Sequence, residues 1–157
     1  MHIRHLINDK NFIYISKTRI DNEFESFIHT HNNLEILFVN EGEGYINFVK
    51  DKIEIKKGDL IIVNKGSKHI EVSNSFLDFF AIGIRNASIL NKFSNDDNLI
   101  KINLNNDLIY EFGCLYKFIF KECEELNTYY QNNIENYLNI LMNKLLRFSN
   151  LTLSISS

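Results

Sequence analysis

The sequence predicts a mainly β fold, an antiparallel sandwich or barrel, completed by a C-terminal pair of antiparallel α-helices. Two observations carry that prediction. From about residue 11 to 85 the chain is written in short runs rich in β-branched and aromatic residues: FIYIS, LEILFVN, GYINFV, KIEIK, DLIIVN, HIEVS and FLDFFAIGI. Glycine, asparagine and charged turns separate them at close spacing. After residue 105 the apolar positions recur instead at intervals of three and four.

In the β half, NEGEG at 40–44 and KKGD at 56–59 supply glycines where hairpins call for positive φ. Lys50, Lys52, Lys56 and Lys57 read as solvated hairpin edges rather than an anion site. The segment that follows predicts a short helical turn around 87–93 and an extended piece near 99–104. In the helical half, Leu108, Phe112, Leu115, Tyr116, Ile119, Phe120 and Cys123 form one apolar face over 106–126, which Asn127 can close. Thr128 with Gln131 has the capping-box pattern of a second helix, in which Ile134, Leu138, Leu141, Leu145 and Phe148 make a heptad-like seam. Tyr137, Ile140 and Leu146 lie off the seam, an excess of apolar surface with two readings. Either the helix packs on both the β half and the first helix, or Ile134, Leu138, Leu141 and Leu145 form a dimer interface with a second copy. The expected organisation is residues 1–104 as the β domain, with 1–10 as a candidate arm, 105–149 as a helical pair packed on it as one unit, and 150–157 as a linker or cut end.

At 157 residues, 45% of them hydrophobic, the chain suffices for one domain with a single sizeable core. A net charge of −3 with scattered Lys and Arg offers no footprint for gripping a phosphate backbone. The N-terminus lacks the apolar stretch of a secretory signal, and no run approaches the roughly 18 apolar residues of a membrane span, so a cytoplasmic location and no membrane contact are expected. Cys114 and Cys123 stand about 900° of helical rotation apart, on opposite faces, and are expected to be buried free thiols.

The chemistry-bearing residues sit in the β half. His29, His31 and Glu35 share parity, so an extended segment points all three to one face. His69 opens another strand after a glycine-bearing turn. Three neutral imidazoles and a carboxylate suit Zn²⁺, Fe²⁺, Mn²⁺ or Ni²⁺, with positions left open for water or substrate; the alternative is a polar pocket wall that holds no metal. Tyr45 and Asn47 are further pocket candidates. Glu71 shares parity with His69, although a single carboxylate beside a turn is more often solvent-facing. No general acid or base stands out beyond these groups.

The spacing His29-x-His31-x3-Glu35-x6-Gly42 resembles the first cupin motif. Gly58-x5-Asn64-x-Gly66-x2-His69 resembles the second, with asparagine in place of the usual proline, and Glu23 stands where the first motif often begins with glycine. The resemblance implies a jelly-roll β-barrel with His29, His31, Glu35 and His69 lining its interior. Over roughly residues 10–150 the chain also resembles the N-terminal effector-binding and dimerisation domain of AraC-type transcription regulators. It shares their histidine-rich entry, an E-I-L-F-V strand, an E-G-E-G turn and K-G-D-L-I-I-V before a terminal histidine. That resemblance implies a non-enzymatic, homodimeric sensor of a small molecule. DNA would be contacted only through a helix-turn-helix domain that these 157 residues do not contain. The alternative is a stand-alone metal-dependent cupin enzyme, a dioxygenase or isomerase.

Overall fold

A computed structural model describes residues 1–21, 32–90 and 99–155. The elements run β1 (His2–Leu6), β2 (Phe12–Asp21), β3 (Leu34–Phe48), β4 (Lys52–Lys56), β5 (Leu60–Val63), β6 (His69–Ile84), β7 (Ala87–Ile89), β8 (Leu99–Ile102), α1 (Asn106–Glu125), α2 (Tyr130–Ser149) and β9 (Leu153–Ile155). Among the described residues seven strands form one antiparallel sheet ordered β1-β2-β6-β3-β5-β8, with β4 on the far half of β3. This is a mainly β fold with two C-terminal helices, consistent with a jelly-roll barrel.

The two long strands β3 and β6 pair along their whole lengths and organise the rest. In β3 the burial changes character midway: Leu34–Val39 are buried without a break, whereas from Gly44 to Phe48 buried and more exposed residues alternate. The unbroken run is the mark of a strand covered on both faces. One face carries Ile36, Phe38, Ile62, Phe80 and Ile82 into a core completed by both helices. The other carries Leu37, Val39, Ile61, Leu77, Phe79 and Ala81 into an interior cluster. Ile46, Phe48 and Ile55 close that cluster from the far half of the sheet.

The expected hairpin at 40–44 does not form. β3 runs straight through it, with register irregularities at Val39/Glu41 and Glu43/Gly44. The glycines serve close approach instead. A Cβ on Gly42, whose φ is +83°, would stand 2.0 Å from the Phe76 carbonyl oxygen, and one on Gly44 would stand 2.0 Å from that of Val72. Those glycines let two fifteen- and sixteen-residue strands bend together at a bulge without separating. HIEVS and FLDFFAIGI fuse into β6 for the same reason. Gly58, with φ +90°, does turn the chain before β5, as expected.

Both helices occupy the expected ranges, with different ends. The Asn105 side chain accepts from the Leu108 N–H at 2.9 Å and caps α1, whose C-cap is Leu126 with φ 54°. The expected Thr128/Gln131 capping box is absent. α2 begins after Tyr129, which adopts φ 68° and makes no side-chain capping bond. Residues 87–89 form β7 rather than a helical turn, because Leu153–Ile155 in the tail pairs with them as β9. The candidate arm is likewise ordered as an edge strand on β2.

The seam of α2 requires a correction. Ile134, Leu138, Leu141 and Leu145 are 6%, 1%, 0% and 2% exposed within the single chain, in the core shared with α1 and the sheet. A side chain already enclosed by its own chain has no surface left for a partner, so these four are not a dimer interface. Both cysteines are free, with Cys123 buried and Cys114 half-buried; burial, with Glu122 and Glu124 adjoining, pushes the Cys123 thiol up to about 11. No helix among the described residues is long and apolar enough to cross a membrane.

Candidate functional site in the barrel interior

Among the described residues, two clusters of buried ionisable side chains interrupt the apolar interior, and β3 and β6 position both. The first is centred on Glu35, 5% exposed, whose register partners across the sheet are Val63 on β5 and Gly83 on β6. Gly83 is also the partner of Tyr14 on β2. A Cβ at Gly83 would lie 2.5 Å from Tyr14 Cε1, so the glycine opens a lane through which the Tyr14 ring crosses β6. At the end of that lane the Tyr14 hydroxyl donates a short hydrogen bond to Glu35 Oε2. Asn33 Nδ2 donates to the same hydroxyl at 3.3 Å, and the Arg4 guanidinium lies 4.1 Å over the ring. Burial, and then the Glu35 carboxylate, push the Tyr14 phenol far above its ordinary value, so it remains a donor at any working pH.

The second group is His69 with Glu71, their side chains 0% and 4% exposed. Their partners across the sheet are Phe48 and Ile46, both members of the interior cluster, and the Phe48 ring lies 5.9 Å from the imidazole. His69 Nδ1 donates to the Ser67 carbonyl oxygen at 2.9 Å, which fixes the ring and presents Nε2 to Glu71 Oε1 at 3.4 Å. Glu71 is therefore inside, contrary to the solvent-facing expectation. The interior face of β6 places it there two positions beyond His69.

The remaining candidates separate. His29 and His31, with Glu23, lie outside the described residues. Tyr45 and Asn47 alternate with the inward Ile46 and Phe48 and so occupy the outer face, half-buried and exposed respectively; Lys52 sits 4.1 Å over the Tyr45 ring. Tyr45 lines a surface cleft of about 400 Å³ with Glu43, Glu54 and Lys101, not the interior. Among the described residues no three of His, Cys, Asp and Glu come together as a metal-holding group, so Glu35 does not complete a triad with His69 and Glu71. For a divalent cation the fit is divided. One Glu35 oxygen is taken by Tyr14, and the other two ionisable groups, His69 and Glu71, lie against each other as a pair.

Sequence reasoning missed Tyr14 and undervalued Glu71. Tyr14 sits in an apolar strand with no motif around it, and its partner is two strands away. Glu71 carried a signal in its parity with His69.

The cupin domain family model matches residues 20–76, a stretch that holds both histidine motifs. No curated protein matches the chain. Among solved structures it is similar to a cupin superfamily protein from Desulfitobacterium hafniense, with a TM-score of 0.48, 15% identity, and 54% of this chain and 77% of that chain covered. It is also similar to a cupin 2 conserved barrel domain protein from Salinispora arenicola, with a TM-score of 0.47, 18% identity, and coverage of 52% and 72%. A protein from Photorhabdus luminescens gives a TM-score of 0.47 at 27% identity, with coverage of 52% and 72%.

Proposed function

We propose that the chain is the effector-binding domain of an AraC-type transcription regulator, taking a small molecule into the barrel interior and passing its occupancy to the helical pair. One observation carries this reading: β3 is held from both sides at adjacent residues. On the interior side Glu35 accepts from Tyr14. On the outer side the Ile36 carbonyl accepts from the hydroxyl of Tyr116, a fully buried residue of α1, at 2.8 Å. A ligand that draws Glu35 away from Tyr14 acts on a strand to which α1 is bonded and against which it is stacked, the Phe38 and Tyr116 rings being 5.6 Å apart. Differential contact of this kind is what a population shift requires.

An apolar interior with a few convergent polar groups suits a sugar, a small organic acid or an aromatic compound. DNA contact belongs to a further domain, homodimerisation to surfaces other than the α2 seam, and the setting is cytoplasmic. Thermal shift against a panel of those three ligand classes tests the reading. A stabilising compound whose effect is lost in Tyr14→Phe or Glu35→Gln supports it, and a panel without effect on the wild-type chain contradicts it. The buried His69–Glu71 pair favours a second reading, a metal-dependent cupin dioxygenase or isomerase. There the cation would supply Lewis-acid chemistry to a bound substrate.

A further inference from the structure

We propose that the chain carries a second binding site, outside the barrel, for a small uncharged polyhydroxy compound, in the cavity between the N-terminal strand and the corner of the two helices. The cavity measures about 330 Å³, the lower end of the range for small-molecule sites. β1 and the loop after it form one wall; the end of α1 and the first turns of α2 form the other. Ile7, Cys123 and Ile134 are buried and give it an apolar floor, whereas Asn8, Gln131, Asn132 and Glu135 are exposed at its mouth.

His5 supplies the group that calls for a ligand. Its ring packs edge-on against Phe120, with centroids 4.9 Å apart, and its Nε2 is buried without a hydrogen-bond partner among the described residues. Buried polar atoms are nearly always paired, and a hydroxyl serves either neutral tautomer because it can donate or accept. The three side-chain amides at the mouth likewise offer both donors and acceptors. α2 starts without a side-chain cap, so the backbone N–H groups of its first turn add donors at Gln131 and Asn132. Charge narrows the class from both sides. Among the described residues Asp9 and Glu135 line the cavity and no lysine or arginine does, which disfavours a phosphate or carboxylate; the positive end of the α2 dipole disfavours a cation. Hydroxyls match the mouth, and the C–H face of a sugar-like ring matches the floor. β1 borders both sites without merging them: Arg4 lies over the Tyr14 ring and His5 against Phe120. The proposal therefore stands apart from whatever fills the barrel.

Titration of the 157-residue chain with D-glucose, D-galactose and myo-inositol, followed by ¹H–¹⁵N NMR, tests it. At least one compound is expected to give saturating shifts centred on the side-chain amides of Asn8, Gln131 and Asn132. His5→Phe, which keeps a ring against Phe120, and Asn132→Ala should each weaken that binding by about fivefold, the equivalent of one neutral hydrogen bond. Far-UV circular dichroism confirms the fold of each variant, and Asn132→Ala, at an exposed position, decides should His5→Phe unfold. Four results would overturn the proposal: no saturable shift from any of the three compounds, shifts confined to Leu37, Val39 and Ala81 inside the barrel, folded variants that bind as the wild type does, or a response to putrescine or inorganic phosphate where the polyols give none.

Discussion

Tyr14 shows how one residue can hold a site together without belonging to any motif. Its hydroxyl reaches Glu35 only because Gly83 has no side chain, so the contact depends on three strands at once. Tyr14→Phe is expected to destabilise the fold by about 1–3 kcal/mol, because it strips a buried carboxylate of a donor; urea unfolding measures it. The same residue sets an alkaline limit. Its phenol is raised far above the ordinary value in the folded chain, by burial first and Glu35 second, and burial raises Tyr116 likewise. Above about pH 10 the unfolded chain releases those protons while the folded chain keeps them, so stability present below that pH is lost as pH rises. The urea midpoint should fall above pH 10 and fall less steeply in Tyr116→Phe. From the sequence, parity correctly grouped His69 with Glu71. Nothing local announced Tyr14, since a register between strands distant in sequence cannot be read from either strand alone.

At the scale of elements, patterning succeeded where one face of an element decides and failed where both do. The seam of α2 was legible as a stripe, but a stripe does not say what covers it. Here α1 and the sheet cover it completely. Leu138→Asp is accordingly expected to unfold the helical half rather than yield a folded monomer, at a cost above about 4 kcal/mol, as for an unpaired charge in a core. Ile140→Asp, on a residue 45% exposed, should stay within about 0.5 kcal/mol. Circular dichroism against temperature separates the two, and a folded Leu138→Asp chain would contradict the packing. The hairpin expected at 40–44 failed for a related reason. Glycine signals freedom from a Cβ, and that freedom serves a turn and a close strand crossing equally.

At the scale of the whole molecule, the sheet is a wall with a polar-studded interior on one side and a helical pair on the other. β3 is the element common to both. The mainly β class and the two helices were legible because period and turn chemistry are local. The division of polar groups into Tyr14–Glu35 and His69–Glu71 was not, because it depends on how the long strands bend at Gly42 and Gly44. Through β3, events in the interior should be felt at α1. The most direct measurement is methyl and aromatic NMR of the chain with a small molecule that stabilises it, following Leu37, Val39 and Ala81 inside and Tyr116 outside. Coupled shifts at both places, with the Tyr116 response abolished in Glu35→Gln, are expected. Interior shifts that leave Tyr116 unmoved, or shifts confined to the outer surface around Tyr45, would contradict it.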